Sequence, residues 1–392
     1  MIDTLPLPPS DAVASDAGSA DWVETAHQFA GRAAERAAVV DVAGAFPDED
    51  FDDLHACGLL AAPLPPAHGG AGLAGDPGQA HALYRVLREV GRGNLAVGRV
   101  YEGHVNALAL IEEWGSEEQL ATAARDARAG HVFGVWNTEV PRDGVRLEPL
   151  PGGGVRLEGA KTFASGLGRV SRAFMNGALP DGGWQMVLVP LDRVDSTDDP
   201  SWWTAQGMRA SRSGRCDVSG VKLGPEALIG RPGDYLTEPS FTGGSVRFAA
   251  VQLGGAVALA EAGRAHLARL GRTENEVQQM RFGRVAVALE TGSLWLLGAA
   301  RMLEHGAPPE AVVAYAQAAR TAIEAVCLEV LEAVDRAVGA RGLVTGPAER
   351  IGRDLRLYLR QPAPDATVAA VGAAFLDRPG LARGSDVSDA CR

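Results

Sequence analysis

The 392-residue sequence offers few groups that could hold a metal ion, a disulfide or a nucleic acid. It has four cysteines, Cys57, Cys216, Cys327 and Cys391. They lie far apart, with no CxxC pair and no histidine at ligand spacing, so neither a metal site nor a disulfide framework is expected. Lysine occurs only at Lys161 and Lys222 among 37 basic residues, and the net charge is −12. Because nucleic acids and anionic membranes bind clustered positive charge, neither is an expected partner.

Sequence signatures of common nucleotide and nucleophile sites are also missing. There is no GxxxxGK[ST] phosphate loop, no GxSxG elbow and no HExxH motif. The glycine run 152–154 precedes a strand-like segment, so it predicts a turn and not a dinucleotide loop. No basic region with an apolar core opens the chain, and no apolar run reaches the roughly 18–20 residues that span a bilayer. We therefore expect a soluble protein of the reducing cytoplasm.

The predicted order of elements along the chain is helical, then β, then helical again. Residues 1–20 lack periodicity and are expected to form a flexible leader. Apolar residues at helical spacing predict a helical domain over 21–129, and short alternating runs predict a β domain over 130–237. Long Ala-rich amphipathic stretches predict a helical bundle over 238–376. A Gly-, Asp- and Ser-rich tail, 377–392, is expected to fray.

Local signals define some of these elements more closely. Asp21 is a good N-cap, and the run Ser116 to Gln119 resembles a capping box. Alternating or β-branched runs predict strands over residues 131–137, 145–150, 155–163, 184–191 and 215–223.

Three motifs, in this order along the chain, resemble segments of the acyl-CoA dehydrogenase superfamily. Residues 64–73 (LPPAHGGAGL) resemble its P-E-x-x-G-G-x-G loop, and residues 159–166 (GAKTFASG) its G-x-K-x-[WF]-[IA]-[TS] segment. Residues 207–230 resemble the G-M-R-x-S-x-[TS] stretch that closes the β domain of that family. The resemblance implies an α+β fold with an N-terminal helical domain, a central β-barrel domain and a C-terminal four-helix bundle. It also implies an FAD cofactor between the β domain and the bundle.

The resemblance implies that the flavin ring is surrounded by residues of the β domain. Residues 135–139 (VWNTE) resemble the strand that ends in T-E-P in the family, so Trp136 and Thr138 would contact the ring. Phe163 would shield it from water, and Ser165 would form a hydrogen bond to its N5 position. Burial and hydrogen bonds near N5 are how a flavoprotein tunes its cofactor. The alternative is an ordinary strand with alternating small residues.

The bundle would supply the remaining cofactor residues. Residues 281–283 (RFG) stand where the family has R-x-x-F-G, whose Arg grips the flavin pyrophosphate. Counted back from Phe282, the position of that Arg holds Gln279 in this chain. Arg281 would therefore have to bind the pyrophosphate from a neighbouring position. Gly339 and Gly342 resemble a backbone turn that approaches the FAD of a neighbouring subunit, which implies a homotetramer or homodimer.

The usual base of an acyl-CoA dehydrogenase has no acidic counterpart in this chain. The family places a Glu at one of two positions, which hold Val246 and Pro362 here. Asp365, three residues further on, is the predicted catalytic residue if the proline turn carries it inward. The alternative is that Asp365 caps the helix that follows. Glu102 and His104, in a helix expected to face the substrate cavity, are further candidates.

Three functions remain open from the sequence. The leading hypothesis is α,β-oxidation of an acyl-CoA or related thioester, with hydride transfer to flavin N5 and electrons passed to an electron-transfer flavoprotein. A two-component flavin monooxygenase of the same fold, supplied by a flavin reductase and using O2, fits the missing base. A non-catalytic member with a binding or assembly role fits the missing pyrophosphate Arg. CoA recognition is in doubt because Gly144 stands where the family has a CoA-contacting Ser.

Overall fold

A computed structural model describes residues 21–42, 44–360 and 362–377. The expected leader 1–20, the expected tail from 378 onward and Cys391 lie outside the described residues.

The N-terminal part of the chain is helical, as predicted. Its α-helices are α1 (Trp22–Arg36), α2 (Asp48–Ala56), α3 (Ala80–Gly93), α4 (Leu95–Trp114) and α5 (Glu117–Arg128). Both predicted helix starts are confirmed. The Asp21 carboxylate accepts from the backbone N–H groups of Val23 and Glu24 at 3.1 Å, and Ser116 and Gln119 form a reciprocal capping box at α5. These bonds satisfy amide groups that have no partner within the helix.

The middle of the chain forms two sheets. Its strands are β1 (Val132–Val135), β2 (Arg146–Pro149), β3 (Val155–Glu158), β4 (Ala160–Lys161), β5 (Val170–Ala178), β6 (Trp184–Pro190), β7 (Thr197–Asp199), β8 (Arg215–Asp217), β9 (Lys222–Leu223) and β10 (Leu228–Ile229). The larger sheet has the order β10-β6-β5-β2-β3-β9, with β1 pairing β5 in parallel. The smaller sheet has the order β4-β8-β7. The expected central β domain is confirmed and consists of these two sheets.

The central strand β5 is the longest strand that the sequence pattern does not predict; the short strands β7 and β10 also lie outside the predicted runs. Its residues from Arg172 to Gly177 are all buried, so the alternation that marks a half-exposed strand is absent. Arg172 also interrupts the apolar run. Its guanidinium is buried but paired, with Asp126 and Asp192 each at 2.5 Å.

The C-terminal part is helical again, which confirms the predicted order of helices, strands and helices. Its α-helices are α6 (Ser240–Arg269), α7 (Glu276–Glu304), α8 (Pro309–Gly342), α9 (Pro347–Tyr358) and α10 (Pro364–Asp377). Helix α6 packs against α3, α4, α8 and α9, so it joins the bundle to the N-terminal helices. Helix α8 is interrupted at Gly339, whose φ of 61° and ψ of −177° suit glycine alone.

In the part of the chain that the structure describes, two helices, α6 and α8, are long and apolar enough to cross a membrane by length and composition alone. Within the fold, 67% of the apolar window of α6 and 39% of that of α8 are buried. This is weak evidence for a membrane span, because the core helix of a soluble protein passes the same test.

Candidate functional site

Four of the predicted cofactor residues lie together in the β domain. The indole Nε1 of Trp136 donates to the carbonyl of Ser165 at 3.0 Å, and the N–H of Thr162 donates to the carbonyl of Thr138 at 2.8 Å. These bonds hold the segment after β1 against the segment after β4. Trp136 and Ser165 are buried, whereas Thr138 and Phe163 are exposed. Thr138 and Phe163 are therefore the exposed residues on the surface of these two joined segments.

Phe163 forms an aromatic wall on this surface. Its backbone is left-handed, with φ of 51°, and its side chain is 37% exposed. A non-glycine residue in this conformation costs about 1 kcal/mol and persists where the surroundings enforce it, often at functional sites. The rings of Trp202 and Trp203 meet Phe163 edge-on, with centroids 5.1 and 5.6 Å away. The sequence hypothesis did not include these two tryptophans, although their adjacency is an unusual signal.

A chain of buried hydroxyls lies beneath the same surface. Ser165 Oγ is 2.8 Å from Ser213 Oγ, which is 2.7 Å from Ser211 Oγ. Ser211 Oγ donates to the carbonyl of Met208 at 2.8 Å. The motif that contains Ser211 and Ser213 was noticed in the sequence, but its hydroxyls had no assigned role.

Helix α9 supports the loop that carries these serines. The Asp354 carboxylate accepts from the backbone N–H of Met208 at 2.6 Å. Burial raises the pKa of Asp354 to about 6, against the lowering effect of the Met208 N–H and of Arg353 and Arg350. Arg353 itself is paired with Glu349 and with Asp41.

A buried ion pair supports the segment that follows Thr138. The ammonium of Lys161, fully buried, is bonded to the carboxylate of Glu139. Burial lowers the pKa of Lys161, and Glu139 opposes this effect. The same carboxylate accepts from the N–H of Val145 at 3.2 Å, which closes the loop between β1 and β2.

A second polar cluster lies on α4, next to the end of β1. Arg99 Nη1 donates to Glu102 at 2.8 Å, Asn106 donates to the other oxygen of Glu102, and Arg247 on α6 donates to Asn106 at 2.8 Å. A Cβ placed at Gly103 would lie 3.5 Å from Arg99 Nη1 and 3.6 Å from the backbone N of Val135 on β1. Both distances are ordinary van der Waals contacts, so Gly103 lies between Arg99 and β1.

Two polar atoms around this cluster are buried without a hydrogen-bond partner among the described residues. They are Arg99 Nε and Tyr358 Oη. Burial raises the pKa of Glu102, and Arg99 and Arg247 oppose it. Because an unpaired buried polar group costs about 1–3 kcal/mol, these atoms point to a ligand or water between them.

His104 is not available as a catalytic base. It is completely buried, its Nε2 bonds to the carbonyl of Leu60 at 2.8 Å, and its Nδ1 accepts from the N–H of Phe133 at 3.1 Å. Burial lowers the pKa of His104 to about 4, and the Leu60 bond only partly opposes this effect. With both ring nitrogens occupied, the neutral imidazole joins α4 to the chain before it and to β1.

Asp365 is not brought to either polar cluster. It is exposed in the first turn of α10, where an acidic side chain favours the helix N-terminus. Val246 is buried on α6, and the carbonyl of Pro362 accepts from Arg320. The assignment of Asp365 as the base therefore stays a prediction, without support from its position.

The bundle residues predicted to bind cofactor form a separate group. Arg281 on α7 donates from Nη1 to the carbonyl of Arg336 and to Gln278, both at 3.2 Å. A Cβ at Gly339 would meet nothing within 4 Å, so this turn of α8 faces open space. Gly342 lies in the last turn of α8. Across the described ranges, no three His, Cys, Asp or Glu side chains lie close enough to hold a metal ion.

Comparison with known proteins gives both a family match and similar folds. Residues 19–130 match the model of the acyl-CoA dehydrogenase N-terminal domain. The chain is 29% identical over 231 residues to a dibenzothiophene monooxygenase of Rhodococcus erythropolis, which is 56% of this chain and 54% of that protein. The chain thus spans about half the length of this curated relative.

Two solved structures share the fold. TdsC of Paenibacillus sp. A11-2, with bound FMN, has a TM-score of 0.82 at 22% identity, covering 91% of this chain and 97% of that one. A butyryl-CoA dehydrogenase of Megasphaera elsdenii has a TM-score of 0.80 at 18% identity, with the same coverage of 91% and 97%. At these identities the likeness concerns the fold alone.

Proposed function

We propose that this chain is a flavin-dependent monooxygenase with the acyl-CoA dehydrogenase fold, and that it uses reduced flavin and O2. A separate flavin reductase would supply the reduced flavin. The sequence hypothesis gave priority to acyl-CoA oxidation. The monooxygenase, its alternative, has better support from the relatives and from the site.

The observation that carries this proposal is the missing base. A dehydrogenase of this family needs a carboxylate to remove the α-proton of its thioester substrate. The two positions that could supply it hold Val246, a buried hydrocarbon, and Pro362, which has no acid group. Asp365 is exposed on another helix. Oxygen transfer from a reduced flavin requires no such base.

The surface around Phe163 fits a flavin ring. It offers an aromatic wall, the hydroxyl of Thr138 on the exposed side and the hydroxyl of Ser165 beneath it. An apolar wall excludes water, and hydroxyls at its edge orient a polar ring system. A reduced flavin bound there would supply two electrons which, with two protons, would let O2 give one oxygen atom to the substrate and the other to water.

The cluster of Arg99, Glu102, Asn106 and Arg247 would bind the substrate. It lies beside the end of β1, and the segment after β1 carries Thr138. Its buried charges and unpaired donors suit a polar substituent better than a saturated acyl chain, because burying charge against hydrocarbon costs free energy. Glu102 and the two arginines would orient the substrate and keep water out.

To test this proposal, the purified chain is mixed with FMN or FAD that an unrelated reductase keeps reduced, and the reaction is run under ¹⁸O₂. The probes are dibenzothiophene, indole and small phenols. We expect ¹⁸O in an organic product and no bleaching of bound flavin by butyryl-CoA or longer acyl-CoAs under anaerobic conditions. Anaerobic bleaching by an acyl-CoA, without ¹⁸O incorporation from any probe, would establish the dehydrogenase instead. Failure to bind flavin in either redox state would favour a non-catalytic role.

We further propose that two copies of the chain pair through α7 and α8. A groove of about 420 Å³ lies between these helices, lined by apolar side chains and by Arg284 and Glu329. Val287 in this groove is 67% exposed. A twofold contact requires a self-complementary patch, and a groove with an apolar floor and both charge signs meets this requirement. The open turn at Gly339 belongs to the same helix pair.

A further inference from the structure

The polar cluster on α4 and α6 carries an unbalanced positive charge. It consists of Arg99, Glu102, Asn106 and Arg247, and we call it the Arg99 cluster. Arg99 pairs with Glu102 at 2.8 Å, whereas no described carboxylate pairs with Arg247. Two guanidinium groups therefore share one carboxylate. Burial raises the pKa of Glu102, and any protonation of its carboxyl would only increase the positive excess.

Both arginines of the cluster have N–H groups to offer a ligand. Arg247 donates from Nη1 to Asn106 at 2.8 Å, which is its hydrogen bond to the part of the chain that the structure describes. Arg99 Nε is buried and has no hydrogen-bond partner among the described residues. A guanidinium has five N–H donors and no acceptor. A ligand that completes the cluster must therefore offer hydrogen-bond acceptors.

The hydroxyl of Tyr358 adds a third unsatisfied group. Tyr358 ends α9, is 1% exposed, and its Oη has no hydrogen-bond partner among the described residues. Gln252 of α6 donates to its carbonyl at 2.9 Å, which holds it where α4, α6 and α9 pack together. Burial raises the pKa of Tyr358, Glu102 adds to this effect and Arg99 opposes it, so both charges act on the phenol. A phenol that stays protonated can donate to an acceptor beside Arg99.

We propose that the Arg99 cluster and Tyr358 bind the carboxylate of an organic acid, and that the substrate of this chain is an anion. The inference rests on the proposed function, in which this cluster holds the substrate. A carboxylate supplies two acceptor oxygens, which match the paired N–H groups of a guanidinium. It also neutralises the excess positive charge.

A neutral substituent would satisfy only half of these requirements. An amide or a ketone accepts hydrogen bonds from the same N–H groups but leaves the positive charge without a counterion. Burying an unbalanced charge costs free energy, so the site should discriminate by charge between ligands of equal shape. Glu102 is a positioning residue in this scheme, because its two oxygens hold Arg99 and Asn106, and Asn106 in turn accepts from Arg247.

The test compares ligands of equal shape and different charge by calorimetric titration of the full chain at neutral pH and low salt. The pairs are benzoate with benzamide and phenylacetate with phenylacetamide. We expect the wild type to bind each acid at least about tenfold more tightly than its amide. Arg247→Gln removes the charge, keeps a donor for Asn106 and should lower this preference about tenfold. Arg336→Gln is the control, because Arg336 is exposed on α8, where it pairs with Glu332.

Equal affinity for acid and amide in both pairs, or no binding of either acid at millimolar concentration, would overturn the inference. An unchanged preference in a folded Arg247→Gln would also overturn it. Circular dichroism checks the fold, and if this variant does not fold, Arg99→Gln has the same expected result and the same refutation. Acid binding without ¹⁸O incorporation into any acid or neutral probe would support the anion site and count against the monooxygenase. Oxygenation of neutral probes without a preference for acids would do the reverse.

Discussion

The buried imidazole of His104 gives a prediction that can be worked out from the structure. Its pKa falls from 6.5 to about 4 in the folded chain because burial disfavours the charged ring. As pH decreases, the unfolded chain therefore takes up this proton first. The contribution of His104 to stability is full above pH 6.5 and is lost as pH falls towards about 4.

The size of this effect follows from the two pKa values. When the His104 ring is protonated in the unfolded chain but neutral in the folded chain, the free energy of unfolding is lower by about 3 kcal/mol. About 2 kcal/mol of this loss occurs between about pH 7.5 and about pH 5. His104→Gln removes the titrating ring and keeps a donor for the Leu60 carbonyl. The variant should be less stable than the wild type at the higher pH, by about 2 kcal/mol, because the Phe133 N–H loses its acceptor.

Urea denaturation at the two pH values, followed by circular dichroism, measures both quantities. The wild type should lose about 2 kcal/mol more than His104→Gln on acidification, because all other titrating groups are common to both chains. His305→Gln, at an exposed position after α7, controls for the loss of a surface imidazole. Equal pH dependence in the wild type and His104→Gln would refute the assignment of His104 as a buried neutral link.

Three further predictions concern the surface around Phe163, the buried ion pair of Glu139 and Lys161, and the pairing of two copies of the chain. Phe163→Ala should weaken reduced FMN binding about tenfold in equilibrium titrations, since a buried aromatic contact contributes about 1–2 kcal/mol, and an unchanged affinity would place the ring elsewhere. Glu139→Leu leaves the fully buried Lys161 without its partner and should cost about 3 kcal/mol in urea denaturation; a loss below about 1 kcal/mol would contradict the ion pair. Val287→Glu places a charge in the α7–α8 groove and should yield monomers in light scattering, whereas exposed Val39→Glu should not.

What the sequence predicted well was local. The N-cap at Asp21 and the capping box at Ser116 depend on residues within three positions of each other, so the sequence alone carries the signal. Strand β5 was missed because its environment, covered on both faces, removes the alternation that identifies strands. The overall order of helices and strands was predicted because long periodic segments dominate it.

The site shows the same limit. Trp136, Thr138, Phe163 and Ser165 were singled out by motif, and the structure brings them together. The contact between Ser165 and Ser213 joins residues 48 positions apart, and no spacing rule indicates it. His104 was a candidate base because the sequence of a helix does not reveal the hydrogen-bond partners of a histidine within it. Only the fold shows that both of its ring nitrogens are already occupied.

The placement of the two candidate sites on different elements has a practical consequence for redesign under the proposed function. Phe163 and Ser165 lie on segments of the β domain, whereas the Arg99 cluster lies on α4 and α6. If Arg99, Glu102, Asn106 and Arg247 bind the substrate as proposed, a library that varies these four positions together would search new substrates without changing Phe163 or Ser165. The four positions must change together, because Glu102 is bonded to Arg99 and Asn106. A single replacement would leave a buried charge without its partner. Under the proposed function, the substrate scope of this chain would therefore change when the four positions change together, and not when one of them changes alone.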